Sequence, residues 1–260
     1  MSTDRFRRTL ATLAGALLLV ACSHKEVRDN SDATGVLGAI PKQSPADIYV
    51  AMAAEYYRRG QLETSLQRAK HAIEVDPNNG RAYYMLALLY QKLGENGLAQ
   101  QNYEAAARLE PKNPNIRNAW GVFYCSQNKE AEAQEEFQAA LANPLYPTPE
   151  VALTNAATCA RAAGKTDKAE TYLRGALAKN PQFPPALVEL ADLEYRRGQY
   201  KAAKVLLDRY FEVAPPAPRA LLLGVLVERK LGSPKRAATY AELLRKRFPE
   251  SPELLTLKQS

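Results

Sequence analysis

Residues 80 to 113 read GRAYYMLALLYQKLGENGLAQQNYEAAARLEPKN. Small Ala87 and Ala99 hold the eighth and twentieth places of this stretch, Gly94 the fifteenth and Pro111 the thirty-second. The same marks return along the chain. Gly60, Gly94, Gly164, Gly198 and Gly232 fall at intervals of 34, 70, 34 and 34 residues, with Asn128 in the vacant slot of the long gap. Pro77, Pro111, Pro181, Pro215 and Pro249 each follow 17 residues after a glycine. At the proline content of this chain, five hits in six fixed slots has a chance probability on the order of 10⁻⁵. The frame gives six units of 34 residues, 46–79, 80–113, 114–147, 150–183, 184–217 and 218–251, with Thr148 and Pro149 inserted between the third and fourth.

Residue size within the frame requires two antiparallel helices per unit. The eighth place holds Ala53, Ala87, Gly121, Ala157, Ala191 and Val225, and the twentieth holds Ser65, Ala99, Ala133, Ala169, Ala203 and Ala237. Small side chains at both places let paired helices approach to the short end of the usual ~8–10 Å separation. Tyr56, Tyr90 and Tyr124 at the eleventh place, and Tyr103, Phe137, Leu173 and Leu207 at the twenty-fourth, supply bulk between units. Glycine at the fifteenth place suits a left-handed turn out of the first helix, and proline at the thirty-second, lacking an amide hydrogen, ends the second. This pattern resembles the tetratricopeptide repeat, whose period is 34 residues, over about four fifths of the chain. It departs at Asn128 and Leu145 in the third unit and at Glu194 and Glu228, where an aromatic is usual. The fold implied is all-α, a right-handed superhelical solenoid of six repeats, closed by a short amphipathic capping helix within Pro252 to Lys258. Such a stack buries apolar faces only between neighbours and lines a concave surface with its first helices, which is an architecture for binding.

Composition agrees with a binding protein rather than an enzyme. The chain has 260 residues, 46% hydrophobic and 24% charged, with 6 Phe and 1 Trp against 14 Tyr, so its core is assembled from small residues. His24 and His71 are too few and too far apart for a triad or a metal site, and the sequence has no glycine-rich phosphate loop, so no cofactor, metal or small-molecule substrate is expected. Carboxylates such as Glu63, Glu74, Glu135, Glu136, Glu189 and Asp192 stand at the helical spacing of a solvated face. The net charge is +7, and +5 without residues 1–21, which carry Arg5, Arg7 and Arg8 against Asp4. A surplus of that size, taken as spread along the chain, is that of a solubilising surface. Nucleic acid would require a concentrated stripe.

The amino terminus reads as an address. Met1 to Arg8 is short and basic, and Leu10 to Ala21 is an uncharged run of 12 residues, too short for a bilayer core that takes about 20. Leu19-Val20-Ala21-Cys22 is similar to the bacterial lipobox, which makes residues 1–21 a lipoprotein signal peptide and Cys22 the lipidated residue. By the same resemblance Ser23, where an inner-membrane lipoprotein often has Asp, directs the chain to the periplasmic face of the outer membrane. Residues 22 to 45 are polar and charge-balanced, the composition of a flexible tether. With Cys22 assigned to lipid, two cysteines remain in an oxidising compartment. Cys125, twelfth in its unit, and Cys159, tenth in the next, lie near the ends of adjacent first helices, so a bridge between them is expected; the alternative is two buried thiols.

The irregular middle narrows the family. Asn118-Ala119-Trp120-Gly121-Val122-Phe123-Tyr124-Cys125, then Asn143-Pro144-Leu145-Tyr146-Pro147-Thr148-Pro149 and Asn155-Ala156-Ala157-Thr158-Cys159-Ala160, resembles the type IV pilus biogenesis and stability lipoproteins of the PilF/PilW type. That resemblance implies a pilotin whose partner is the pilus secretin, the ring-forming outer-membrane channel, and which assists its localisation and multimerisation. The alternative is a repeat scaffold lipoprotein of another outer-membrane or cell-wall assembly complex. Places two, five, nine, twelve and thirteen face inward and supply the expected contacts. At the amino end these include Tyr57, Arg58, Tyr84, Leu88, Gln91 and Lys92, a mixed aromatic and basic patch. In the centre are Asn118, Thr154 and Thr158 with Asn155 adjacent, whose amides and hydroxyls suit a peptide backbone. Toward the far end lie Asp192, Tyr195, Arg196, Leu226, Arg229 and Lys230.

Overall fold

The computed structural model describes residues 44–259, so the signal segment, Cys22 and the tether up to residue 43 lie outside the described residues. Among them are thirteen helices and no strand. Twelve form antiparallel pairs, one per unit: α1 (Pro45–Arg58) with α2 (Leu62–Val75), α3 (Gly80–Leu93) with α4 (Asn96–Leu109), and α5 (Pro114–Ser126) with α6 (Glu130–Leu141). The remaining pairs are α7 (Pro149–Ala162) with α8 (Thr166–Lys179), α9 (Pro184–Arg196) with α10 (Tyr200–Val213), and α11 (Pro218–Lys230) with α12 (Pro234–Arg247); α13 (Pro252–Gln259) follows. The stack is the expected repeat solenoid, and two boundaries move by one residue. Ser44 caps α1 by accepting a hydrogen bond from the Asp47 amide at 3.1 Å, and Pro45, whose missing amide hydrogen costs nothing at a first helical position, opens the helix inside the expected tether. Pro149 opens α7 in the same way.

The marks that set the period perform the structural work assigned to them. The five glycines of the fifteenth place have φ between +72° and +79°, and Asn128 adopts φ +59° in the same slot. Asparagine tolerates the left-handed region better than other non-glycine residues, so the third unit keeps its turn. At the eighth and twentieth places all twelve residues are buried. The approach is close enough for Ser65 Oγ to donate to the Ala53 carbonyl at 2.7 Å, and a Cβ added to Gly121 would lie 2.7 Å from Phe137 Cε1. Glu194 and Glu228, in the aromatic slot, are buried and answered by cations: Arg174 Nη2 donates to Glu194 at 3.0 Å, and Arg236 Nε lies 3.1 Å from Glu228 Oε1.

The third-to-fourth junction, irregular in sequence, is tied down at several points. Asn143 Nδ2 donates to the Lys112 carbonyl at 3.0 Å while its Oδ1 accepts from the Leu145 amide at 2.9 Å. Tyr146 is buried beside Ala140 and Ala152, and Leu145 is left 86% exposed. Cys125 of α5 and Cys159 of α7 form a disulfide with their Cα atoms 5.6 Å apart. Ion pairs add to the stacking: Lys165 and Lys168 of the fourth unit reach Glu130 of the third, Arg219 reaches Glu189 and Asp192, and Arg236 reaches Asp208.

One expectation about charge is corrected. Residues 218–260 hold nine Lys and Arg against four Asp and Glu, whereas residues 22–217 hold 23 of each, so the surplus is confined to the last unit and the cap.

Candidate partner-binding surface

First helices of consecutive units lie side by side, so residues at one place in the repeat line up across the stack. In the first three units this alignment opens a cavity of about 400 Å³, lined by Tyr57 of α1, Leu88, Gln91 and Lys92 of α3, and Asn118, Ala119 and Val122 of α5, with Tyr103 of α4 beneath. Five expected contact residues, Tyr57, Leu88, Gln91, Lys92 and Asn118, therefore share one site. Its floor is polar in one place, where the Tyr103 hydroxyl donates to Gln91 Oε1 at 2.7 Å. Behind it stands an aromatic cluster. Tyr103 stacks on Trp120 with centroids 6.4 Å apart and 6° between planes, and Trp120 stacks on Tyr124 at 5.4 Å. Aromatic backing of this kind fixes the cavity wall, because buried rings lose packing and stacking if they move. Exposed Lys92 gives the rim a positive charge.

Tyr84 belongs to the backing rather than the lining. Its ring lies 6.4 Å from that of Tyr103, and burial pushes its phenol up to about 12. The central residues are also placed differently from the expectation of free polar groups for a peptide. Thr154 Oγ1 donates to the Glu150 carbonyl at 2.8 Å and Thr158 Oγ1 to the Thr154 carbonyl at 3.1 Å, each one turn back along α7, because a helical hydroxyl finds the carbonyl four residues earlier within reach. Asn155 Nδ2 donates to Asn118 Oδ1 at 3.0 Å, which couples the third and fourth units and leaves the Asn118 amino group directed by that bond. Farther along, Arg196 Nε contacts both Asp192 oxygens at 3.1 Å, one turn away. Arg229 is exposed near the end of α11. The structure thus gathers Tyr57, Leu88, Gln91, Lys92 and Asn118 into one cavity and leaves Arg58, Arg196 and Arg229 outside its lining.

Tyr103, Ala119 and Val122 are the site residues that sequence reasoning did not select. One signal for Tyr103 was present: the twenty-fourth place holds Phe137, Leu173 and Leu207 in the next units, so its hydroxyl is surplus to packing and requires a partner.

Helix pairs in 34-residue register with a continuous inner face define a tetratricopeptide-repeat protein. Models of that repeat match residues 160–226, 53–94 and 80–113. The crystal structure of PilW, a widely conserved type IV pilus biogenesis factor, superposes with a TM-score of 0.73 at 34% identity, covering 83% of this chain and 99% of that one. PilF of Pseudomonas aeruginosa, a type IV pilus assembly protein, is 28% identical over 207 residues, 80% of this chain and 82% of its own length. A PilF crystal structure gives a TM-score of 0.73 at 27% identity, covering 82% of this chain and 96% of that chain. The chain belongs to the PilF/PilW family of type IV pilus biogenesis proteins.

Proposed function

We propose that this protein is an outer-membrane lipoprotein that binds subunits of the type IV pilus secretin and assists their localisation and multimerisation. The observation that carries the reading is the likeness to PilW over nearly all of that chain at 34% identity. The lipobox at Cys22 and the cavity of the first three units support it. Acyl chains contribute about 0.8 kcal/mol per buried CH₂, so several on Cys22 hold the protein at the membrane. A tether of some twenty residues then keeps the solenoid within tens of ångströms of it, which raises its effective concentration at the assembly site. The inner face holds a segment of a subunit by aliphatic contact with Leu88 and Val122, aromatic contact with Tyr57 and polar contact with Lys92 and Asn118. Holding of this kind requires no turnover.

Deleting the gene tests the reading: secretin is expected to lose its heat-stable multimers and cells to lose twitching motility. Complementation with Tyr57→Ala/Lys92→Glu should restore multimers poorly at a protein level equal to the parent's. Normal multimers in the deletion strain would exclude the role.

A further inference from the structure

The helix α13 begins 34 residues after Pro218, as Pro218 follows Pro184 by 34, so it stands where the first helix of a seventh unit would stand. Its back face is anchored: Leu254 and Leu257 are each 6% exposed and join the cluster of Leu221, Ala237, Ala241 and Leu244. Its front face is not. The fourth place of the unit is Leu187 in α9 and Leu221 in α11, both fully buried, and Leu255 in α13, 61% exposed. The difference has a simple cause. Leu187 sits beside Arg209, Glu212 and Val213 of α10, and Leu221 clusters with residues of α12, whereas no second helix packs on α13 among the described residues.

The neighbouring flank of α12 is equally open. At the twenty-eighth place of the fifth unit Phe211 stacks on Tyr240 of α12 with centroids 5.1 Å apart, so that place faces the next second helix. In the sixth unit the same place is Arg245. Arg245, Lys246, Arg247 and Lys258 are exposed and take no ion pair among the described residues, while Arg219 and Arg236 of the same unit reach back to carboxylates of the fifth. A terminal repeat that only kept the stack soluble would present a polar outer face. Here an apolar side chain stands exposed at the place that the fifth and sixth units bury, beside a local surplus of five positive charges.

We propose that this end of the solenoid docks an acidic amphipathic helix of another polypeptide, seated against α13 and α12 as α12 is seated against α11 and α10. Its apolar side covers Leu255 and its carboxylates meet Arg245, Lys246 and Arg247. The surface is separate from the cavity of the first three units, and its occupant is defined by chemistry whether or not it comes from a secretin subunit.

The test is a photo-crosslinking amino acid at Leu255 in the full-length protein in its native envelope, with Val205, 59% exposed on α10, as the control position. Adducts are mapped by mass spectrometry. The expected result is a peptide adduct at Leu255 and not at Val205, within a helical segment of net negative charge. It should fall at least fivefold in Arg245→Gln/Lys246→Gln/Arg247→Gln at unchanged melting temperature, and likewise in 0.5 M salt, since screening shortens the reach of exposed charges to a few ångströms. An adduct on phospholipid would assign the surface to the membrane instead. An adduct on a neutral or basic segment, one insensitive to salt, or no adduct above the control would each overturn the proposal. If the triple variant melts lower, Lys258→Glu provides the same reading on α13.

Discussion

Gly121 shows what a single residue contributes to this fold. Its missing Cβ leaves room for the Phe137 ring, and a methyl there would also lie 3.1 Å from the Ala133 carbonyl. Gly121→Ala should cost about 1–3 kcal/mol, as overpacking in a buried contact does, and shift the urea midpoint down accordingly. Trimming the ring with Phe137→Leu in the same background should recover part of the loss, whereas additive losses would show that the clash is not the cause. Tyr84 makes a different prediction, about pH. Its phenol ionises near 10 in the unfolded chain but is held by burial up to about 12 in the fold, and Tyr103 is shifted in the same direction by the same cause. A group whose folded value is raised lends stability below its unfolded value and loses it as pH rises through the folded one. Thermal melts should therefore drop between pH 10 and about 12, and Tyr84→Phe should drop less steeply.

At the scale of elements, the bridge between α5 and α7 is the feature with the largest expected effect. Closing a loop of this size removes unfolded-state entropy worth about 3–4 kcal/mol in the chain-entropy account. Dithiothreitol should lower the melting temperature of the protein and leave a Cys125→Ala/Cys159→Ala variant unmoved. Thiol titration of denatured, unreduced Cys22→Ser protein should find no free thiol; two would remove the bridge from the account. The paired helices themselves were readable in the sequence because each unit repeats one small set of constraints: alanines where axes approach, glycine where φ is positive, proline two residues beyond the last helical one. What was not readable is how polar side chains are spent. Thr154 and Thr158 sit at inward places, yet their hydroxyls turn to their own helix, a choice between solvent-facing and back-bonded rotamers that spacing does not encode. Cavity formation escaped for a related reason, since Tyr103 reaches it from a second helix through a bond to Gln91 that depends on the depth of packing.

Across the whole molecule, the two proposed binding surfaces lie at opposite ends of the stack: a preformed cavity in the first three units and a charged, incompletely covered end at the sixth. The position of the charge was present in the sequence all along, but it takes the unit boundaries to see that residues 22–217 balance at 23 charges of each sign. The disulfide acquires another meaning at this scale. Under the proposed anchor at one terminus and the proposed docking near the other, the protein would be a mechanical link, and tension applied between its ends runs from Cys125 directly to Cys159. The 33 residues between them, with all of α6, are thus shielded from load and cannot be drawn out while the crosslink lasts. Optical-tweezer extension of the oxidised protein should stop about 110 Å short of the reduced contour length, at ~3.3–3.6 Å per residue. Equal contour lengths would mean that the covalent shortcut does not exist in the molecule under strain.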